Sequence, residues 1–197
     1  LALLSGELTT PQRVEVLTRQ CRLRLNEGGF QEAQACARGL DSYLRADAMQ
    51  SGAPVPSELV GEAWLVVGDV AAARARSLEV PTTEAETKAP RPSDKAVPLT
   101  ANQAEQQRVI RSRAGVIREA QLAYLTAFHL GQPPVPAQAA KRVSALFGDF
   151  WNHLMALPMP KPPAGLDEAG KRYFAQRYRF ELVKLTLPVL DRAVEAW

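Results

Sequence analysis

The chain has 197 residues, 46% hydrophobic and 23% charged, enough apolar material for one helical core or two small ones. A net charge of +3 over this length argues against a dedicated polyanion binder, whose cations gather in a visible patch. No apolar run reaches the roughly 18 residues that a bilayer crossing requires.

Thr10-Pro11 opens the first helix, because threonine can cap an orphan backbone N–H and proline suits the first turn. Val14, Leu17, Cys21 and Leu25 then recur at spacings of three and four. Gly28-Gly29 stops that helix, and Phe30, Ala33, Ala37, Leu40 and Leu44 form the stripe of a second, antiparallel one, closing a hairpin over about residues 11–46. Cys21 and Cys36 lie on its two helices, at a spacing that excludes a CxxC motif. Cys36 directly precedes the seam residue Ala37 and should point about 100° away from it, so two reduced, partly buried thiols are expected.

The run Ser51-Gly52-Ala53-Pro54-Val55-Pro56 breaks the chain before Ser57, the expected cap of a helix bearing Val60, Ala63, Trp64 and Val67. A turn at Gly68-Asp69 should follow, with Val70, Ala73 and Leu78 continuing a tighter second hairpin. Residues 81–99, with Pro81, Pro90, Pro92 and Pro98 among polar neighbours, read as a mobile linker or loop.

Capping boxes at Thr100 and Asn102 start a C-terminal helical region, 100–197. Its long first helix should run to about Leu130 on a stripe of Val109, Val116, Ile117, Ala120, Tyr124 and Phe128. After Gln132–Pro136, the broad apolar face of Val143, Leu146, Phe147, Phe150, Trp151, Leu154 and Leu157 belongs in a core. Asp167 caps a final helix carrying Tyr173, Phe174, Arg177, Phe180 and Leu187, with a kink expected at Pro188 and the helix continuing past Trp197. The start at Leu1 rather than methionine suggests a trimmed or processed fragment, which leaves the compartment open.

The two glycine turns share a pattern, Gly28-Gly29-Phe30-x-x-Ala33 and Gly68-Asp69-Val70-x-x-Ala73, 40 residues apart. With Val60-Gly61-x-x-Trp64 before the second, the region 11–80 resembles two tetratricopeptide (TPR) repeats. The first copy departs from the pattern, with Cys21 and Arg24 where the second has Gly61 and Trp64. The resemblance implies an all-α fold of about seven helices, in antiparallel hairpins stacked as a short TPR-like solenoid. In that family the first helix of each hairpin lines a concave groove, which carries over to Thr18, Arg22 and Asn26 and to Glu58, Glu62 and Leu65 as partner-binding residues. The implied function is a non-catalytic protein–protein interaction scaffold. Leu157-Pro158-Met159-Pro160, Tyr173-Phe174 and Leu187-Pro188 further resemble bacterial cell-envelope helical-repeat proteins, which implies a component of a bacterial assembly.

Catalytic, cofactor and metal residues are expected to be absent. His129 and His153 sit in apolar helical stretches and read as capped or packed core histidines, and the Asp149/His153 pair at i, i+4 falls short of a zinc ligand set. Gly28-Gly29 has no strand before it and no lysine-threonine pair after it, so it is no phosphate loop. The alternative function uses the basic helix with Arg108, Arg111, Arg113 and Arg118, of which Arg111 and Arg118 share a face with Arg108 nearby. Such a stripe could meet nucleic acid or an anionic membrane surface, although no aromatic residue interleaves with it.

Overall fold

The computed structural model describes residues 8–50, 55–80, 101–157, 159, 162 and 164–195, apart from the side chains of 47–50, 101–104, 185–186 and 188–195. Among these residues the fold is all-α, without strands. Its six helices are α1 (Thr10–Asn26), α2 (Phe30–Gln50), α3 (Ser57–Ser77), α4 (Ala101–Leu130), α5 (Val135–Met155) and α6 (Glu168–Glu195). The expected linker at 81–99, most of the break at 51–56 and the cap at Thr100 lie outside the described residues.

The chain divides into two compact units, one of Leu1–Arg76 with Val116–Leu146 and one of Ser77–Gly115 with Phe147–Trp197. Helices α4 and α5 each contribute to both.

In the first unit α1 packs against α2. Its cap is Thr9, one residue earlier than expected: the Thr9 N–H and hydroxyl both donate to Gln12 Oε1, each at 3.0 Å, and Pro11 sits in the first turn. Gly28 adopts φ +75°, a backbone region that side chains disfavour, and Gly29 N–H returns to the Arg24 carbonyl at 3.0 Å. The predicted first hairpin therefore forms, and Leu25, Ala33 and Ala37 meet Val70 of α3.

The cysteines are not free. Cys21 and Cys36 form a disulfide between α1 and α2 with their Cα atoms 5.4 Å apart. The expectation of reduced thiols judged Cys36 against Ala37 alone. Cys36 also stands three residues after Ala33 and four before Leu40, both fully buried, and this places it on the edge of the seam facing α1.

The second expected hairpin does not form, because α3 runs unbroken from Ser57 to Ser77 through Gly68-Asp69. Among the described residues this leaves six helices, and Trp64 and Ala73 lie on one helix rather than across a seam. Ser57 is the first helical residue, with the Pro56 carbonyl accepting from Val60 N–H at 3.1 Å.

Gly68 serves helix packing instead of a turn. A Cβ placed there would overlap the ring of Tyr124 on α4, and one at Gly61 would meet Cα of Gly131 at 2.7 Å and Cγ1 of Val135 at 3.0 Å. Seven residues apart, the two glycines share a face, and their missing side chains let the 116–146 segment approach the α3 backbone. Beside this contact the Tyr124 hydroxyl donates to Asp69 Oδ1 at 2.9 Å, and Arg142 Nε lies 2.9 Å from the same oxygen. Burial raises the Asp69 carboxyl above its ordinary value despite the lowering effects of Arg142 and Tyr124. The Tyr124 phenol is also raised, first by burial and then by the Asp69 charge.

Buried apolar residues of the second unit include Val80, Ile110, Ala114, Phe150, Leu154, Leu157 and Leu182. Arg113 is also buried, its guanidinium 6.0 Å from the centre of the Phe150 ring. Burial, and then the charge of Arg113, lower the His153 imidazole. As expected, Asp167 caps α6, accepting from Gly170 N–H at 2.7 Å. The helix continues through Pro188 to Glu195. His129 is exposed in the last turn of α4, which excludes the packed-core role and leaves the capping one.

Three outcomes follow from this packing. Gly68→Ala should lower stability by about 1 to 3 kcal/mol as an overpacked contact. Gly39→Ala, at a helical glycine with nothing within 4 Å of its missing Cβ, should raise it by about 0.5 to 1 kcal/mol. Urea denaturation of both variants checks the contrast, and two equal effects would remove the packing role of Gly68.

Reduction, or Cys21→Ser with Cys36→Ser, should destabilise the protein by about 2 to 4 kcal/mol, since the bridge closes a separation of 15 residues. Thermal melts with and without dithiothreitol measure this, and a mass difference of two hydrogens on reduction confirms the bond.

Asp69 supplies a pH signature. Because its folded-state value is raised, the folded protein takes up a proton where the unfolded chain still carries a carboxylate. The cost of holding the buried charge is fully present above the folded value and is relieved as pH falls toward the ordinary 3.8. The stability of the wild type relative to Asp69→Asn should therefore rise as pH is lowered from neutrality into that window, which chemical denaturation at a series of pH values would reveal.

Candidate functional site

On α2, Gln34, Ala37, Arg38, Asp41 and Arg45 recur at spacings of three and four and form one face, with the small Ala37 at its centre. Facing it, α3 presents Trp64, Val67, Val70, Ala71 and Arg74, and α4 adds Glu119, Leu122 and Ala123. Together they enclose an open trough of about 410 Å³, wholly within the first unit. Alanines on all three helices leave depth, while Trp64 supplies a large ring whose own surface is mostly covered. Leu122 stands at the wall and is 55% exposed, an apolar side chain left facing water.

The rim is charged. Arg45 lies with its guanidinium 5.1 Å from the centre of the Trp64 ring and donates to Asp41 at 2.8 Å, while Arg74 donates to Glu119 at 3.3 Å. Both pairs are solvent-exposed, so each contributes little to stability and can exchange partners readily. Arg38 has no ion pair among the described residues. Three arginines against Asp41 and Glu119 leave the rim with one net positive charge.

The sequence-predicted groove residues are not gathered here. Thr18 and Leu65 are buried, Thr18 donating to its own helix at the Val14 carbonyl at 2.7 Å, so neither presents a surface to a partner. Thr18 faces the interior of the first hairpin and Leu65 lies within the unbroken α3 rather than on the first helix of a second hairpin. Arg22 and Glu62 are brought together 4.0 Å apart, linking α1 to α3 at the surface. Asn26 and Glu58 are exposed but do not line the trough.

The basic stripe is also divided. Arg108 donates from Nε to Glu105 at 2.7 Å, Arg113 is buried, and Arg111 is exposed, all three in the second unit, whereas Arg118 belongs to the first. Among the described residues no group of three or more His, Cys, Asp or Glu side chains is arranged to hold a metal ion, and no helix is long and apolar enough to cross a membrane.

Sequence reasoning missed the trough because its three walls come from segments up to 89 residues apart, from Gln34 to Ala123. One signal was available: Leu122 lies off the apolar stripe of α4, beside Glu119, where a polar residue would suit an exposed face.

Comparisons with protein-family models, with curated proteins and with solved structures give no match to this chain.

Proposed function

We propose that the chain is a non-catalytic protein-interaction scaffold whose first unit receives an amphipathic helix of a partner protein in the α2–α3–α4 trough. The observation that carries this reading is the apolar floor beside half-exposed Leu122, bordered by charged groups that can exchange partners. An inserted apolar row would cover Leu122 and reach Trp64, and aromatic anchors of this kind supply much of the binding energy in helix-in-groove complexes. Arg38, without an ion pair among the described residues, favours a partner carrying a carboxylate at the rim.

The TPR-like character of the chain and its place in a bacterial assembly belong to the same proposal. They draw support from the Gly28-Gly29 hairpin and from the C-terminal likeness noted in the sequence. The basic-stripe alternative is weakened by the Arg108 pairing with Glu105 and by the burial of Arg113.

Leu122 and Leu23 are equally exposed, at 55%, but only Leu122 lines the trough. A photo-crosslinking residue at position 122 should therefore yield a discrete partner adduct and one at position 23 should not. Leu122→Asp and Arg38→Glu should each abolish that adduct with stability changed by no more than about 0.5 kcal/mol, as is usual for exposed sites. Arg22→Glu with Glu62→Lys should leave it intact. Adducts from position 23, or loss only in the Arg22/Glu62 variant, would move the binding surface away from the trough.

A further inference from the structure

The second unit leaves a different face uncovered. On α6, Tyr173, Phe180 and Leu187 are 62%, 58% and 43% exposed, although side chains of this size are usually covered. They are spaced by seven, so they form a single line about 21 Å long at 1.5 Å per residue. Cations border the line on both sides. Arg177 and Lys184 follow Tyr173 and Phe180 by four residues on one edge, and Arg172 and Arg179 precede the same two residues by one on the other.

The cations already lean on the aromatic groups. Lys184 Nζ is 4.9 Å from the centre of the Phe180 ring, and the Arg177 guanidinium lies 3.5 Å from the Tyr173 hydroxyl. Glu181 is the carboxylate on this face, and it lies 3.7 Å from Lys184.

We propose that this α6 face is a second docking surface, independent of the trough, and that it takes an amphipathic helix whose apolar seam is edged by Asp or Glu. A line of large residues repeating every seven is the contact one helix makes with another, and flanking charges select the partner by sign. A second copy of α6 would set Arg172, Arg177, Arg179 and Lys184 against the same four cations, with Glu181 the one carboxylate between Tyr173 and Leu187 to offset them, so a partner helix of opposite charge complements the face better. The line is one residue wide, narrower than the broad apolar face with which a helix lies in a membrane interface. Its two rings are separated by a heptad rather than forming a continuous platform for successive bases.

The test uses the whole 197-residue protein and labelled synthetic helices of about three heptads, with Leu at a and d and either Glu or Lys at e and g. Fluorescence anisotropy should show the Glu peptide binding at least about ten times more tightly than the Lys peptide, and more weakly as salt rises. Phe180→Ala should weaken the Glu peptide about tenfold or more. The double variant Arg177→Glu, Lys184→Glu should reverse the preference toward the Lys peptide, with circular dichroism unchanged because both side chains are exposed. The same measurements in the Leu122→Asp background, where the trough is blocked, should still show the Phe180→Ala loss and the Glu-over-Lys preference, which separates this surface from the trough. Equal binding of the two peptides, no binding, or disappearance of the Phe180→Ala effect in the Leu122→Asp background would overturn the proposal. So would tighter binding to phosphatidylserine vesicles or to a single-stranded oligonucleotide than to the Glu peptide.

Discussion

The first unit depends on how closely α4 and the start of α5 can approach α3. Two missing side chains set that distance: at Gly68 the Tyr124 ring occupies the space a Cβ would take, and at Gly61 the Gly131 backbone and Val135 do the same. Glycine inside a helix carries an entropic penalty, so its presence needs an offsetting gain. Here the gain is close contact with Tyr124 and Val135, both buried. Asp69, adjacent to Gly68, then fixes the rotation of the contact by joining Tyr124 and Arg142 through one carboxylate oxygen. Burial raises the Asp69 carboxyl more than its partners lower it, so holding the charge there costs stability that Tyr124 and Arg142 only partly offset.

The opposite side of α3 is held differently. Its contact with the first hairpin includes Ala33, Ala37 and Leu25 against Val70. Within that hairpin the disulfide between Cys21 and Cys36 joins α1 to α2 and limits the unfolded chain. Bridges of this type persist in oxidising surroundings and are rare among proteins kept under reducing ones.

These two modes of packing create the trough. Close seating of α4 on α3 brings Leu122 and Ala123 beside Trp64, and alanines at the α2 face leave the space between the three helices unfilled. A larger residue at position 37 or 71 would close it. The second unit reaches a similar end by another route: α6 contributes Leu182 to its core while Tyr173 and Phe180 remain outside.

The sequence by itself determined the helical class, the first hairpin, the long helix ending at Leu130 and the Asp167 cap, because each follows from periodicity and from local backbone chemistry within a few residues. It did not determine what Gly68 was for. A glycine that ends a helix and a glycine that admits a neighbouring ring look alike in one dimension, and only Tyr124, 56 residues further on, distinguishes them. The disulfide shared this ambiguity, since Cys36 lies at the edge of a helical stripe and its orientation depends on the rotation of α1 against α2. The candidate site was the least legible part. Trp64, Leu122 and Arg38 are individually unremarkable, and they become a surface only when tertiary packing brings three distant segments around one gap.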